Sequence, residues 1–173
     1  MIFVFDIDGT LTDVRNHQIV PSAKYALKKL QENHTVCVAS GRAYYKTKKF
    51  CDENGIDTFV ANGGNSLCYQ GKKIYNESLP INLCLELLKE VEELGYGYLL
   101  ALEDSIDVVM KNTLFLKQMG ERREPTRYFL LPDLDLNKIE HIYKIYISIP
   151  LEEEYKLTTL SKITRLRFSG DYL

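Results

Sequence analysis

The stretch FVFDIDGTLTDVRN sets two carboxylates, Asp6 and Asp8, one residue apart where an apolar run gives way to Gly-Thr. Alternate side chains of a strand share a face, so the two acids converge at its exit while Gly9 lets the backbone turn sharply. Converging carboxylates call for a cation between them. Two further segments end in the same manner: HTVCVAS runs into Ser40-Gly41-Arg42, and DTFVA into Asn62-Gly63-Gly64. A carboxylate pair, a hydroxyl just before a helix start and a flexible polar loop are together what a hard cation such as Mg²⁺ plus a phosphate would satisfy. Asp-x-Asp-Gly also opens calcium loops, but the twelve-residue version starting at Asp6 needs Glu at position 17, where this chain has His17.

The elements that must position these residues alternate. Ile2 to Phe5 reads as a short buried strand, and Pro21 opens a helix in which Ala23, Ala26, Leu27 and Leu30 recur at helical spacing. HTVCVAS is a second strand, RAYYKTKKFCDEN a helix that Gly55 terminates, and DTFVANGG a third strand. Such alternation implies a parallel sheet with right-handed crossovers, and in an open parallel sheet ligands bind beyond the carboxyl ends of the strands. SLCYQGKKIYNE then reads as a hairpin turning at Gln70-Gly71.

From about Leu79 the character changes. Pro80 introduces the helix INLCLELLKEVEELG, with an apolar stripe of Cys84, Leu87, Leu88, Val91 and Leu94. YGYLLALE and IDVVMK read as strands, residues 112–138 give no clear pattern, and YKIYISIP, EEEYKLTTLSK and TRLRFSG read as strand, helix and strand. The expected division is a first α/β unit over 1–79 and a second, mixed α/β lobe over 80–173. Tyr96, Tyr98 and Tyr128 are candidates to line a pocket there, although packing is the commoner use of such residues.

Composition narrows the class. Twenty-four acidic and 22 basic residues leave a formal charge of −2, and no run of Lys and Arg could track a nucleic-acid backbone. No apolar stretch reaches membrane-spanning length, and Ile2 to Phe5 is too short for a signal-peptide core, so a cytoplasmic protein with neither nucleic-acid nor membrane partners is expected. Cys37, Cys51, Cys68 and Cys84 form no Cys-x-x-Cys pair and read as reduced core residues; His17, His34 and His141 are isolated and read as solvated or packing side chains.

FDIDGTLTD resembles motif one of the haloacid-dehalogenase phosphatase superfamily, and VASGR is similar to its motif two. FVANGGNSLCYQGKKIYNE is similar to the strand and hairpin that precede the α/β cap of the Cof-like sugar-phosphatase subgroup. The resemblance implies a partial Rossmann-like core followed by a cap, and a Mg²⁺-dependent phosphatase of small phosphorylated metabolites, sugar phosphates foremost. It makes Asp6 the nucleophile that forms an aspartyl-phosphate and Asp8 the general acid and base. Mg²⁺ would rest on the Asp6 carboxylate and the Asp8 backbone carbonyl. Ser40 would bind a phosphoryl oxygen with help from the amides near Gly9 and Gly41, while Thr10, Arg42 and Asn62 shape the substrate-binding loops.

The family pattern also requires a lysine and a second acidic cluster beyond the cap. RLRFSGDYL is similar to the strand leading back from cap to core, and neither Asp171 nor Lys162 is a good substitute for the required groups. The remaining core strands are therefore expected to be missing from this chain. Because the resemblance makes the first strand central, Ile2 to Phe5 should then lie at an open edge, which invites self-association. A catalytically incompetent fragment or pseudoenzyme that binds phosphate or a partner is the alternative. A phospho-acceptor receiver domain would need an Asp at the end of the third strand, where the sequence reads FVANGG.

Overall fold

In the computed structural model, which describes residues 1–122 and 125–162, the chain divides by its contacts into a unit over Met1–Glu77 and a second from Ser78 onward. The TRLRFSG strand and Asp171 named above lie outside the described residues.

The first unit is a five-stranded sheet in the order β1 (Ile2–Phe5), β2 (Thr35–Ala39), β3 (Phe59–Ala61), β4 (Ser66–Tyr69), β5 (Lys72–Asn76). β1, β2 and β3 are parallel, in register through Phe5↔Val38 and Val38↔Phe59, and β4 and β5 continue the sheet antiparallel. Helices α1 (Pro21–Gln31) and α2 (Tyr44–Glu53) supply the crossovers. α1 starts with Pro at its first turn, where a missing N–H costs nothing. α2 ends as Gly55 expects: φ is +67°, and the Ile56 N–H reaches back 2.9 Å to the Cys51 carbonyl. Gln70 and Gly71 both take positive φ, 49° and 74°, the conformation a two-residue hairpin turn requires.

Alternation decides which face is covered. Val36, Val38, Phe59, Ala61 and Cys68 pack with Leu27 of α1 and with Tyr44, Phe50 and Cys51 of α2 in one cluster, so both helices cover the same face. The residues of opposite parity on β1, Ile2 and Val4, stay 71% and 61% exposed, and β1 pairs only with β2 among the described strands. Among the described strands β1 is thus an edge strand, with Ile2 and Val4 exposed.

The second unit is a four-stranded sheet, β8 (Arg127–Leu130), β7 (Asp107–Met110), β6 (Tyr98–Ala101), β9 (Lys144–Ile147), in which only β7 and β8 run parallel. Helix α3 (Ile81–Glu93) lays Cys84, Leu87, Leu88 and Val91 against Leu100 and Ile147, while α4 (Leu114–Met119) brings Phe115 to Leu99, Val108 and Tyr146 on the other face. With both faces covered, all four residues of β6 are buried, which is why YLLA is continuously apolar.

Four expectations change. Ile2–Phe5 is a strand but not a buried one, since only its Phe3 and Phe5 face the covered side and even these are partly exposed. Leu94 leaves the apolar stripe, being the cap residue of α3 and 37% exposed. Residues 112–138, featureless in sequence, hold α4, β8 and a 3₁₀ turn. EEEYKLTTLSK is two 3₁₀ segments, Leu151–Lys156 and Thr158–Lys162, rather than one α-helix. Leu157 interrupts them at ψ 89°, and the Glu90 carboxylate draws the chain in by accepting from the Thr158 hydroxyl and from the Thr159 N–H at 3.1 Å.

Gly97 is required by space. A Cβ there would lie 2.0 Å from the Phe115 nitrogen and 2.4 Å from its Cα, and the Gly97 N–H donates to both Gln118 and Ser148 at 2.8 Å. Backbone cannot yield as a flexible side chain does, so Gly97→Ala is expected to destabilise the second unit by about 2 kcal/mol or more. Hydrogen exchange checks this: the amides of Leu99 and Val108 should exchange faster while those of Val36 and Val38 keep their protection.

Candidate active site

Parallel pairing sends the loops after β1, β2 and β3 out of the sheet at the same end. The first loop is organised around one oxygen. The carbonyl of Ile7, a fully buried residue, accepts from the amides of Leu11 and Thr12 and from the Thr12 hydroxyl, each at 3.0 Å, with the Thr10 amide at 3.4 Å. With Ile7 pointing inward, Asp6 and Asp8 on either side of it are both exposed. Gly9, at φ +77°, makes the turn between Asp8 and this collar.

The second loop is tied to the third. The Ser40 amide donates to the Val60 carbonyl at 3.0 Å, the Arg42 amide to the Ser40 hydroxyl oxygen at 3.1 Å, and the Asn62 amide to the Arg42 carbonyl at 2.8 Å. Ser40 is buried, with its hydroxyl in the elbow between β2 and the approach to α2. The carboxamide of Asn62 turns toward β4 and β5, donating to Ser66 Oγ at 2.8 Å and Asn76 Oδ1 at 3.1 Å.

Arg42 closes the site. Its Nε donates to Asp8 Oδ2 at 2.9 Å and its Nη2 to Asp8 Oδ1 at 2.6 Å, a bidentate pair across 34 residues of sequence. The cation that the acid pair calls for thus has a protein component. It engages one acid only: among the described residues no donor reaches the Asp6 carboxylate. The Arg42 hydrogen bonds and charge hold the Asp8 carboxyl below its ordinary range, against the opposing pull of burial, and His17 adds a smaller push downward.

His17, read from the sequence as a solvated or packing side chain, stands beside Asp8. A tight hairpin, closed by Asp13 N–H to Gln18 O at 2.9 Å and His17 N–H to Asp13 O at 2.8 Å, holds it at φ +56° with Nδ1 3.6 Å from Asp8 Oδ1. Its positive φ is uncommon for a non-glycine residue, though His is among the types enriched there, and it depends on the hairpin around it. The other histidines fit the plainer reading: His34 packs on Phe3 at 5.3 Å and His141 approaches the Ser78 hydroxyl at 3.3 Å.

The remaining candidates are accounted for within the second unit. Lys162 is ion-paired with Glu86. Tyr98 donates to Glu92 at 2.7 Å, Tyr96 donates to Glu153, and the Tyr128 oxygen accepts from the Arg122 amide at 2.7 Å. A groove of about 670 Å³ in this unit is instead lined by apolar residues such as Leu102 and Ile139 together with Asp133, Asp135, Lys138 and Glu140.

The sequence matches the family model of haloacid dehalogenase-like hydrolases over residues 3–168, and the chain belongs to that family. The YkrA protein of Bacillus subtilis strain 168, whose name provisionally assigns it as a phosphatase, is 32% identical over 106 residues, 61% of this chain and 41% of YkrA. BT1666 from Bacteroides thetaiotaomicron, a phosphatase of the same superfamily, superposes with a TM-score of 0.75 at 18% identity, covering 99% of this chain and 64% of that one. The subclass IIB sugar phosphatase BT4131 gives 0.70 at 20%, covering 99% and 67%, and TM0651 from Thermotoga maritima 0.74 at 20%, covering 99% and 67%. These structures share the fold, and the chain spans about two-thirds of their length.

The Arg42–Asp8 pair makes a pH-dependent prediction. A carboxyl lowered in the folded state adds stability above its unfolded pKa and loses it as pH falls through the folded value. With Arg42 21% and Asp8 46% exposed, solvent screening limits the pair to about 1 kcal/mol at most. Arg42→Met should raise the Asp8 carboxyl toward the ordinary range and lower stability at neutral pH by up to that amount, with the deficit vanishing in acid; ¹³C NMR titration of Asp8 and urea unfolding at both pH values measure the two effects.

Proposed function

We propose that the loops after β1, β2 and β3 form a site for hydrolysing phosphomonoesters of small metabolites, sugar phosphates foremost, through an aspartyl-phosphate at Asp6. The observation that carries this reading is the unequal state of the two acids: among the described residues Asp6 has no partner, while Asp8 is held by Arg42. A nucleophile needs a carboxylate free to reach phosphorus, and Asp8, ionised beside Arg42, is suited to the base step and becomes an acid only when Arg42 leaves it.

The donor set fits Mg²⁺. Asp6 offers a carboxylate and Asp8 a backbone carbonyl, both hard oxygen ligands, and no group of three His, Cys, Asp or Glu side chains forms a closed cage among the described residues. Mg²⁺ is commonly held this sparingly, through one or two carboxylates with water and phosphate oxygens completing the shell. When bound, the ion would offset the repulsion between Asp6 and a phosphate.

The chain's own residues divide the work. An Asp6 oxygen attacks phosphorus as the bond to the leaving oxygen breaks, and Asp8, which can take up a proton from solvent once Arg42 has turned to the phosphoryl group, gives that oxygen its proton. Asp8 then takes a proton from the water that cleaves the aspartyl-phosphate, returning Asp6 to its carboxylate. The Ser40 hydroxyl donates to a phosphoryl oxygen, with the amides near Gly9 and Gly41 beside it. An incoming phosphoryl group offers the Arg42 guanidinium a second partner of the shape it prefers, which lets Asp8 turn to the leaving oxygen. Asn62 contributes through its backbone, by holding the loop that carries Arg42.

The resemblance also calls for a lysine and further acids, and these would join the site through additional core strands. Phosphate release from a panel of sugar phosphates, with and without Mg²⁺, tests the proposal. Release should require the metal, fall to background in Asp6→Asn, and drop by about 10²–10⁴-fold in Asp8→Asn. Phosphate binding without release in any metal condition would support the non-catalytic alternative instead.

Among the described strands β1 lies at an edge with Ile2 and Val4 exposed, and where no further strand covers it this edge favours pairing with a second copy. Sedimentation velocity should show a dimer that Ile2→Lys disperses, and a monodisperse monomer would count against the pairing.

A further inference from the structure

Asn62, Gly63 and Gly64 take φ of 51°, 62° and 113°, so a non-glycine residue opens a run of left-handed backbone at the end of β3. Such a conformation persists only where its surroundings hold it. Here a polar cluster does so. Asn62 Nδ2 donates to Ser66 Oγ at 2.8 Å and to Asn76 Oδ1 at 3.1 Å, and the Ser66 hydroxyl donates to the same Asn76 oxygen. Ser66 is fully buried and sits opposite Asn76 in the β4–β5 register.

What this cluster fixes is the backbone that carries the site. With Asn62 held, its amide donates to the Arg42 carbonyl at 2.8 Å and the Gly63 amide to the Ser40 carbonyl at 3.3 Å. Arg42 in turn grips Asp8. We infer that Ser66 and Asn76, on the hairpin beyond the catalytic loops, are positioning residues that set the Arg42 guanidinium on Asp8 through the strained backbone of Asn62. Asn76 acts as the common acceptor, so what the cluster needs from it is an oxygen. Asn76 is also the last residue of β5, two positions before the second unit begins at Ser78. The strand that leaves for the second unit therefore ends in the support of the site.

The functional consequence rests on the phosphatase reading, but the contact can be tested apart from it. In ¹⁵N spectra of the full chain the Arg42 Nε–H, assigned by its loss in Arg42→Lys, reports the bond to Asp8 directly. Asn76→Ala should make this proton exchange with water about tenfold faster or more, while the amide spectrum of the second unit is unchanged. Asn76→Asp keeps the acceptor oxygen and should restore the slow exchange. Should Asn76→Ala not fold, Ser66→Ala, which removes one of the two supports of Asn62, carries the test with the same expected direction. An Arg42 proton as protected in the folded variant as in the parent overturns the inference. Titration of the parent with inorganic phosphate separates the two readings: absence of binding strikes the proposed function, and leaves the Arg42 result to stand or fall by itself.

Discussion

The parallel pairing of β1 with β2 is the constraint on which the site depends. In register through Phe5↔Val38, the two strands end together, so Asp6 and Asp8 emerge beside Ser40 and Arg42 although more than thirty residues separate them. Had the chain made a hairpin here, the two loops would lie at opposite ends of the sheet. Burial of Ile7 orients both acids, because a side chain that must point inward turns its neighbours outward. The collar of donors on the Ile7 carbonyl then fixes the loop without using either carboxylate.

Much of this was legible in the sequence for identifiable reasons. Strand ends carrying Asp-x-Asp-Gly and Ser-Gly-Arg, Pro21 at a helix start and Gly55 just past a helix end each have a local physical meaning that survives folding. What was hidden depended on partners distant in the chain or on backbone strain. His17 reaches Asp8 only because its hairpin forces a positive φ, and the Asn62 carboxamide turns away from the loops because Ser66 and Asn76 claim it. The two 3₁₀ segments after β9 carry helical periodicity, but hydrogen bonds from Thr158 and Thr159 to Glu90 on α3 override it. In α4 six residues are too few for any period to show.

The electrostatic environment also narrows which atoms can react. Burial pushes the Cys51 thiol up to about 12 and the Cys84 thiol up to about 11, so both are protonated at neutral pH and poor nucleophiles. Cys37 shifts in the same direction, again through burial first. Among the oxygens of the first unit, Asp6 and Asp8 differ by their partners rather than by residue type. Identical carboxylates acquire different surroundings from the guanidinium that attends one of them.

The apolar clusters of the protein have a separate significance. Each is drawn wholly from one unit: the first from residues before β5, the other two from residues after it. Core substitutions that share no packing partner add in their effects instead of compelling compensation. In evolutionary terms the interior of the second unit can therefore drift, residue by residue, while the interior that seats the acid pair stays fixed, so that one lineage can conserve its chemistry and diversify the rest of its structure at different rates.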